Sequence, residues 1–147
     1  MSLDPSFVGR SYPPTAPYLV GREKIREFAT AIGATDPAYH DPEVARSLGH
    51  PDVVAPPTFP VVITMAASEQ IINDPELGVD YSRVVHGDQR FAYTRPVTAG
   101  DELVCVNTVE DIASRGGHDF LTIRTDVTAA GSPVVTAWSK LVVRGEG

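Results

Sequence analysis

The sequence predicts an α+β fold in which a curved antiparallel sheet wraps around one long buried helix. Residues 21–75 carry apolar side chains at helical spacing, and residues from 82 onward carry them at alternate positions. One helical segment is apolar on nearly all sides, which is typical of a buried helix. A single sheet with one apolar face is the most economical cover for such a helix.

Two short helices are predicted in the first third of the chain. GREKIREFATAIG, residues 21–33, ends at Gly33, a residue that commonly stops a helix. Its apolar side chains follow the i, i+3, i+4, i+7 spacing of an amphipathic helix: Ile25, Phe28, Ala29 and Ile32. The second helix lies in DPEVARSLG, residues 41–49, where Asp41 provides the N-cap and a proline occupies the first turn.

The central helix is predicted in APPTFPVVITMAASEQIINDP, residues 55–75. Thr58 is the candidate cap, Pro60 falls in the first turn where proline is tolerated, and about four turns follow until Asn73. The first half is apolar nearly all round, so this segment is predicted to be the helix that the sheet surrounds.

Four strands of an antiparallel meander are predicted in the second half of the chain, at residues 83–96, 103–112, 119–127 and 134–143. Gly116–Gly117 is a hairpin signal between the second and the third. Alternation places one set of side chains of the last two strands on the buried face: Leu121, Ile123, Val127, Val135, Ala137, Leu141 and Val143.

Length and composition narrow the class of protein. The chain has 147 residues, so one domain spanning residues 1–147 is expected. Its net charge of −7 and the absence of a Lys/Arg cluster argue against nucleic-acid binding. A single cysteine and four scattered histidines offer no metal-ligand spacing. Without a signal peptide or a long apolar run, no membrane association and a cytoplasmic location are expected.

Three segments resemble the MaoC-like (R)-specific enoyl hydratases and 3-hydroxyacyl dehydratases, which have the hot-dog fold. They are VGREKIREFATAIGATDPAYHDPEVA (residues 20–45), APPTF (55–59) and VVHGDQRFAYTRPVTAGDEL (84–103). The resemblance covers nearly the whole chain and is greatest to the N-terminal-type half of the family, as in the A subunit of the mycobacterial (3R)-hydroxyacyl-ACP dehydratase. It implies one hot-dog domain over residues 1–147.

The resemblance also implies that the catalytic pair is missing. Catalytic members carry G-D-x-N-P-x-H, in which the aspartate and the histidine perform the acid–base chemistry. A gapless alignment matches Gly33 and Pro37, places Asp36 on the asparagine, and leaves Ala34 and Tyr39 on the catalytic positions. Alanine carries no proton, and tyrosine, with a reference pKa of about 10, is a poor base at pH 7.

Asp36 and His40 leave two interpretations of this loop open. In one, Asp36, Tyr39 and His40 form a rearranged acid–base site, although Asp36 and His40 are four residues apart. In the other, Asp36 and Asp41 each cap a short turn ahead of a proline, and His40 faces solvent. The capping interpretation explains both aspartates without a shift of the loop and is preferred.

A substrate-binding set is predicted where the central helix begins and on the first long strand. The prolines at 56 and 57 have no N–H to offer a thioester oxygen, so the family's usual oxyanion hole is compromised. The resemblance implies that the following residues line the acyl path: Pro57, Thr58, Phe59, His86, Gly87 and Gln89. The structural alternatives are core packing for Phe59 and a polar strand face with a bulge for the last three.

Three functions follow from the resemblance. In the first, the chain is a subunit of an (R)-3-hydroxyacyl-thioester dehydratase or enoyl-thioester hydratase that shapes the acyl channel while a partner supplies the catalytic pair. In the second, it is a self-sufficient hydratase or dehydratase that uses a rearranged Asp36/His40 site. In the third, it is a non-catalytic acyl-thioester-binding protein. No cofactor is implied, and the substrate is carried on coenzyme A or acyl carrier protein, with Arg83, Arg90 and Arg95 as a candidate docking patch. The fold implies a homodimer, or a heterodimer with a hot-dog subunit that carries the catalytic pair.

Overall fold

The computed structural model describes residues 2–145 and has one helical layer on one antiparallel sheet. The α-helices are α1 (Arg22–Ala31), α2 (Pro42–Ser47), α3 (Val61–Ala67) and α4 (Glu69–Ile72), with short 3-10 helices at Pro5–Phe7, Pro37–Tyr39 and Tyr81–Arg83. The strands are β1 (Tyr18–Leu19), β2 (Val84–Tyr93), β3 (Glu102–Arg115), β4 (His118–Ala129) and β5 (Ser132–Val143). The curled sheet has the order β1-β3-β4-β5-β2, which confirms the predicted α+β class.

The predicted helices at the start of the chain are confirmed as α1 and α2. Ile25 and Ala29 are fully buried, whereas Ile32 lies beyond the end of α1 and is 51% exposed, so the buried face is shorter than predicted. Gly33 has a φ of 72°, the left-handed conformation that ends a helix at little cost for glycine. The Asp41 carboxylate caps α2 by accepting the Glu43 N–H at 2.9 Å.

The prediction of a four-strand meander is wrong for β2. Strands β3, β4 and β5 are joined by consecutive hairpins, but β2 pairs with β5, from Val84 opposite Val143 to Tyr93 opposite Val135. Alternation specifies which face of a strand is buried but not which strand lies beside it. The predicted inward rows of β4 and β5 are confirmed as buried: Leu121, Ile123, Val127, Val135, Ala137, Leu141 and Val143.

The proline-rich lead of the chain covers the free edge of β3, a feature that sequence patterns did not predict. The N–H groups of Gly9, Tyr12 and Thr15 donate to β3 carbonyls at 2.8, 2.9 and 3.0 Å. Strand β1 then pairs with the start of β3. Within residues 2–145, the end strands of the sheet are the two-residue β1 and the ten-residue β2, so β2 is the long strand with one unpaired side.

The central helix is not the single long helix that was predicted. It is divided at Ser68 into α3 and α4, and Pro60 rather than Thr58 occupies the N-cap position. The segment is also not surrounded on all sides, because Met65 is 62% exposed while Ile63 and Ala67 are buried against the sheet. A single sheet covers only one side of this helix, so the apolar sequence of the segment predicted more burial than the structure has.

A buried carboxamide holds the break in the helix against the sheet. Asn107 on β3 has no exposed surface, and its Nδ2 donates to the Ala67 carbonyl at 2.8 Å and to the Gln70 Oε1 at 2.9 Å. Its Oδ1 accepts the Thr125 hydroxyl of β4 at 2.7 Å. The Ser68 hydroxyl donates to the Met65 carbonyl at 2.7 Å, so both sides of the break are fixed by side chains.

Replacing Asn107 by alanine should destabilise the fold without changing its sheet pairing. The variant leaves the Ala67 carbonyl and the Gln70 and Thr125 side chains without this partner, which should lower the free energy of unfolding by about 2–4 kcal/mol in urea denaturation. Thr122→Ala on the solvent side of β4 is the matched control, with an effect of about 0.5 kcal/mol. Equal losses in both variants would contradict the structural role of Asn107.

Candidate functional site

The loop between α1 and α2 uses its polar groups to hold itself together. The Asp36 carboxylate accepts the Ala38 N–H at 2.9 Å and caps the Pro37–Tyr39 turn. The His40 Nε2 lies 2.9 Å from the Ala34 carbonyl, which can only accept, so this nitrogen carries the proton. The capping interpretation is confirmed for both aspartates, but His40 is partly buried rather than solvent-facing, because its ring turns back onto the loop.

The loop is also anchored from α1. The Arg26 Nε donates to the His40 carbonyl at 2.9 Å, and the same guanidinium pairs with Glu23. Neither contact brings a carboxylate to the imidazole. The structure therefore does not join Asp36 and His40 by a hydrogen bond, and each of them serves the local fold.

Tyr39, which stands on the histidine position of the family motif, lines a pocket of about 330 Å³. Across it, the Tyr93 hydroxyl of β2 donates to the Pro57 carbonyl at 2.6 Å. Burial raises the pKa of the Tyr93 hydroxyl above its usual value, so this donor stays protonated at neutral pH. The remaining walls are largely apolar: Val54, Ala55, Thr94, Arg95 and Pro96. Among these, Arg95 donates two hydrogen bonds to the Asp101 carboxylate.

A larger pocket of about 610 Å³ lies between the divided helix and the concave face of the sheet. We call it the helix–sheet pocket. Its walls are mostly apolar, from Met65, Ala66 and Ile72 on the helical side to Val84, Ile123 and Leu141 on the sheet. Polar side chains enter it at Ser68, Glu69, Asn73, His86 and Ser139. Pockets of this size and lining are typical of small-molecule sites.

Two of the predicted substrate-binding residues meet in one polar cluster beside the helix–sheet pocket. The Gln89 Oε1 accepts the Ser139 hydroxyl at 2.8 Å and lies 3.1 Å from the His86 Nε2. Gly87 permits the bulge between them, since a Cβ there would lie 3.1 Å from the Val142 Cγ2 and 3.4 Å from the Lys140 carbonyl. The glycine thus serves strand packing.

The structure separates the other predicted residues. Pro57 lines the smaller pocket, Thr58 lies exposed in the turn before α3, and Phe59 is fully buried with its ring 5.4 Å from that of Phe28. Phe59 therefore supports the helix from the core and is not a wall of either pocket. Sequence reasoning missed Ser139, which interrupts the apolar inward row of β5 and could have been found by that interruption.

The predicted basic patch is mostly neutralised. Arg95 binds Asp101 through two hydrogen bonds of 2.9 and 3.0 Å, Arg83 binds Asp80 at 3.2 Å, and the Arg90 guanidinium stacks 4.1 Å above the Trp138 ring. Across residues 2–145, no helix is long and apolar enough to span a membrane. In the same part of the chain, no three His, Cys, Asp or Glu side chains gather closely enough to hold a metal ion.

Tyr93→Phe should change the alkaline titration of the protein. Because burial raises the folded pKa of Tyr93 above the unfolded value of about 10, ionisation favours the unfolded chain. The stabilisation that the protonated Tyr93 hydroxyl provides is therefore fully present below a pH of about 10 and is lost as the pH rises further. Phenolate absorbance should show one fewer late-titrating tyrosine in the variant than in the wild type. The same number of late-titrating tyrosines in the variant and the wild type would contradict the effect of burial on Tyr93.

Comparisons with known proteins agree with this geometry. The protein-family model for the FAS1-like dehydratase domain region matches residues 6–137 of this chain. A UPF0336 protein from Streptomyces coelicolor is 64% identical over 145 residues, which cover 98% of this chain and 97% of that protein. A similar protein from Saccharopolyspora erythraea is 58% identical over 146 residues, 99% of this chain and 94% of its own length.

Two solved structures share the fold and more than a quarter of the sequence. The C-terminally truncated HadBC complex, a (3R)-hydroxyacyl-ACP dehydratase from Mycobacterium tuberculosis, contains a chain that is 31% identical with a TM-score of 0.84, over 97% of this chain and 99% of that one. A MaoC-like dehydratase is 34% identical with a TM-score of 0.88, over 95% of this chain and 43% of that longer one. These matches confirm the hot-dog fold, and the chain belongs to the FAS1-like dehydratase-region family.

Proposed function

We propose that this chain is a subunit of an (R)-3-hydroxyacyl-thioester dehydratase or enoyl-thioester hydratase, and that a partner subunit supplies the catalytic Asp/His pair. The observation that carries the proposal is the closed loop of residues 33–45. Asp36 is bonded to the Ala38 N–H and His40 to the Ala34 carbonyl, so the loop keeps the family's position while its polar groups are used for folding. The likeness to a chain of a two-component dehydratase complex supports the same assignment.

The hydration reaction requires groups that the partner must provide. Hydration of a trans-2-enoyl thioester adds water across one double bond: the oxygen bonds to C3, a proton is delivered to C2, and dehydration is the reverse. A base must take a proton from the water and an acid must protonate C2, while hydrogen-bond donors hold the thioester oxygen as it gains charge. No metal or redox cofactor is required for these steps, because hydrogen bonds alone can stabilise the enolate-like transition state.

The role of this chain is to bind the acyl part of the substrate. The helix–sheet pocket is large and mostly apolar, and it opens beside the edge strand β2 through Val84 and His86. Transfer of an acyl chain from water into such a pocket contributes about 0.8 kcal/mol per buried CH₂ group. Binding energy gained on the remote chain can be used to position the reacting carbons in the partner's active site.

The unpaired edge of β2 is the surface for the partner. A free strand edge exposes a row of N–H and C=O groups that another strand can complete. Exposed large apolar side chains lie on β2 or share a pocket with it: Met65, Tyr81 and Val85. Since the candidate docking arginines are mostly paired with carboxylates or stacked on Trp138, recognition of the anionic carrier, coenzyme A or acyl carrier protein, falls to the partner.

The purified chain should not hydrate crotonyl-coenzyme A by itself, and adding the partner that co-purifies from its own host should restore turnover. Loss of the enoyl absorbance measures the reaction, with an active (R)-hydratase as positive control. In the assembled enzyme, Asp36→Asn and His40→Ala should change kcat by less than about threefold, because acid–base groups that act directly contribute about 10²–10⁴-fold.

Two outcomes would contradict the subunit proposal. Robust turnover by the chain alone that His40→Ala abolishes would show a self-sufficient enzyme with a rearranged site. Recovery of the chain from its host without any second hot-dog protein, together with no turnover, would favour a non-catalytic binding protein.

Val85→Lys should weaken assembly through β2. Val85 is 43% exposed on the edge strand, and a charge there must be desolvated when the edge is covered. The Kd for the partner should rise at least about tenfold in analytical ultracentrifugation. Leu48→Lys is the matched control, because Leu48 is 62% exposed but lies at the C-terminal end of α2 and not on the edge strand. Equal weakening by both variants would exclude β2 as the specific surface.

A further inference from the structure

Helix α4 has the helix–sheet pocket on one face and the lead segment, residues 9–15, on another. Residues four apart on a helix share a face. Glu69 and Asn73 line the pocket. Gln70 and Asp74 lie on the neighbouring face, and both are hydrogen-bonded to the lead segment. The position of α4 therefore sets how far the pocket opens on its helical side.

Helix α4 has little packing of its own to hold it in place. It has four residues, far fewer than an isolated helix needs to be stable in water. The break at Ser68 separates it from α3, and Ile71 is its one buried side chain. Hydrogen bonds to neighbouring segments must therefore fix its position.

The lead segment provides such hydrogen bonds at two points. The Gln70 Nε2 donates to the Pro13 carbonyl at 3.0 Å, while the Gln70 Oε1 accepts from Asn107 at 2.9 Å. Beyond the end of α4, the Tyr12 hydroxyl donates to the Asp74 carboxylate at 2.7 Å. The lead segment is itself bonded to β3, since the Tyr12 N–H donates to the Asn107 carbonyl at 2.9 Å. It therefore ties α4 to the sheet.

The hydrogen bond between Tyr12 and Asp74 joins a phenol to a carboxylate that is ionised at neutral pH. Burial, together with the Asp74 carboxylate, raises the pKa of Tyr12 to about 12. The Tyr12 hydroxyl in turn lowers the pKa of Asp74 below its usual value. Hydrogen bonds to an ionised acceptor are shorter and stronger than neutral ones. Arg10 also contacts this carboxylate, at 3.3 Å, so the lead segment holds Asp74 through two side chains.

From these contacts we infer that the lead segment fixes the width of the helix–sheet pocket, and that the pocket consequently favours unbranched acyl chains over branched or cyclic ones. A wide acyl group that displaced α4 would have to break the hydrogen bonds of Tyr12 and Gln70, whereas an unbranched chain leaves them in place. Tyr12 and Asp74 are positioning residues, because they act through α4 and are not in the pocket wall. The inference rests on the proposed function, since it concerns the acyl chain bound in that pocket.

The test compares two acyl groups of equal carbon number and different width. The chain, together with the subunit that co-purifies with it, is titrated by calorimetry with octanoyl-coenzyme A and with cyclohexylacetyl-coenzyme A. The wild type should bind octanoyl-coenzyme A at least about tenfold more tightly, an ordinary effect of poor fit in an apolar pocket. Tyr12→Phe removes only the hydroxyl and should reduce this ratio to about threefold, by raising the affinity for the cyclic thioester.

Asp74→Ala removes the same hydrogen bond from the other side and should have the same effect on the ratio. The double variant should add little to either single change, because both remove one shared interaction. Tyr18→Phe is the matched control and should keep the wild-type ratio, because Tyr18 is a half-buried tyrosine of β1 that lies outside the lead segment.

Three outcomes would overturn the inference. Equal weakening of both thioesters by Tyr12→Phe would show that Tyr12 serves stability alone. Equal affinity of the wild type for the two thioesters would show that the pocket does not select by width, and would leave the subunit proposal intact. Failure of both thioesters to bind would overturn the inference together with the proposed acyl-binding role.

Discussion

The hydrogen bonds of one buried carboxamide determine how the helical layer sits on the sheet. Asn107 joins the end of α3, the start of α4 and strand β4, and its side chain is fully buried. A carbonyl at a helix end needs a donor when it is buried, and this amide provides one. The break at Ser68 is therefore a defined feature of the fold. The helix–sheet pocket lies beside this break, since Ala66, Ser68 and Glu69 are all in its wall.

In the loop of residues 33–45, the two side chains of the alternative acid–base site, Asp36 and His40, both make local hydrogen bonds. A working acid–base pair needs a carboxylate and an imidazole that are free to exchange protons with the substrate. Here a backbone N–H and a backbone carbonyl occupy Asp36 and His40 instead. The Tyr39 side chain is part of the lining of a small, largely apolar pocket. Such a loop can still support the helix entry at Pro57, which Tyr93 holds through its hydroxyl.

The two sides of the sheet differ, and this difference is the basis for placing the proposed partner at β2. The lead segment and β1 pair along β3, so the edge of β3 is already occupied within this chain. The β2 edge has no such cover, and it borders both pockets through Tyr93 at one end and Val84 at the other. A partner strand on β2 would therefore bring a second subunit next to the pocket that we assign to the acyl chain. In the proposed assembly, the partner and the acyl chain therefore bind to neighbouring parts of this subunit.

The sequence by itself determined strands β2 to β5, the inward rows of β4 and β5, and helices α1 and α2, because these follow from local periodicity and caps. Contacts between distant segments decided the rest. The position of β2 beside β5, the cover of β3 by the lead, and the break held by Asn107 all join residues far apart in the chain, and no local pattern encodes them. The site depends on the same contacts: Gln89 and Ser139 are 50 residues apart, and only the tertiary structure makes them one polar cluster.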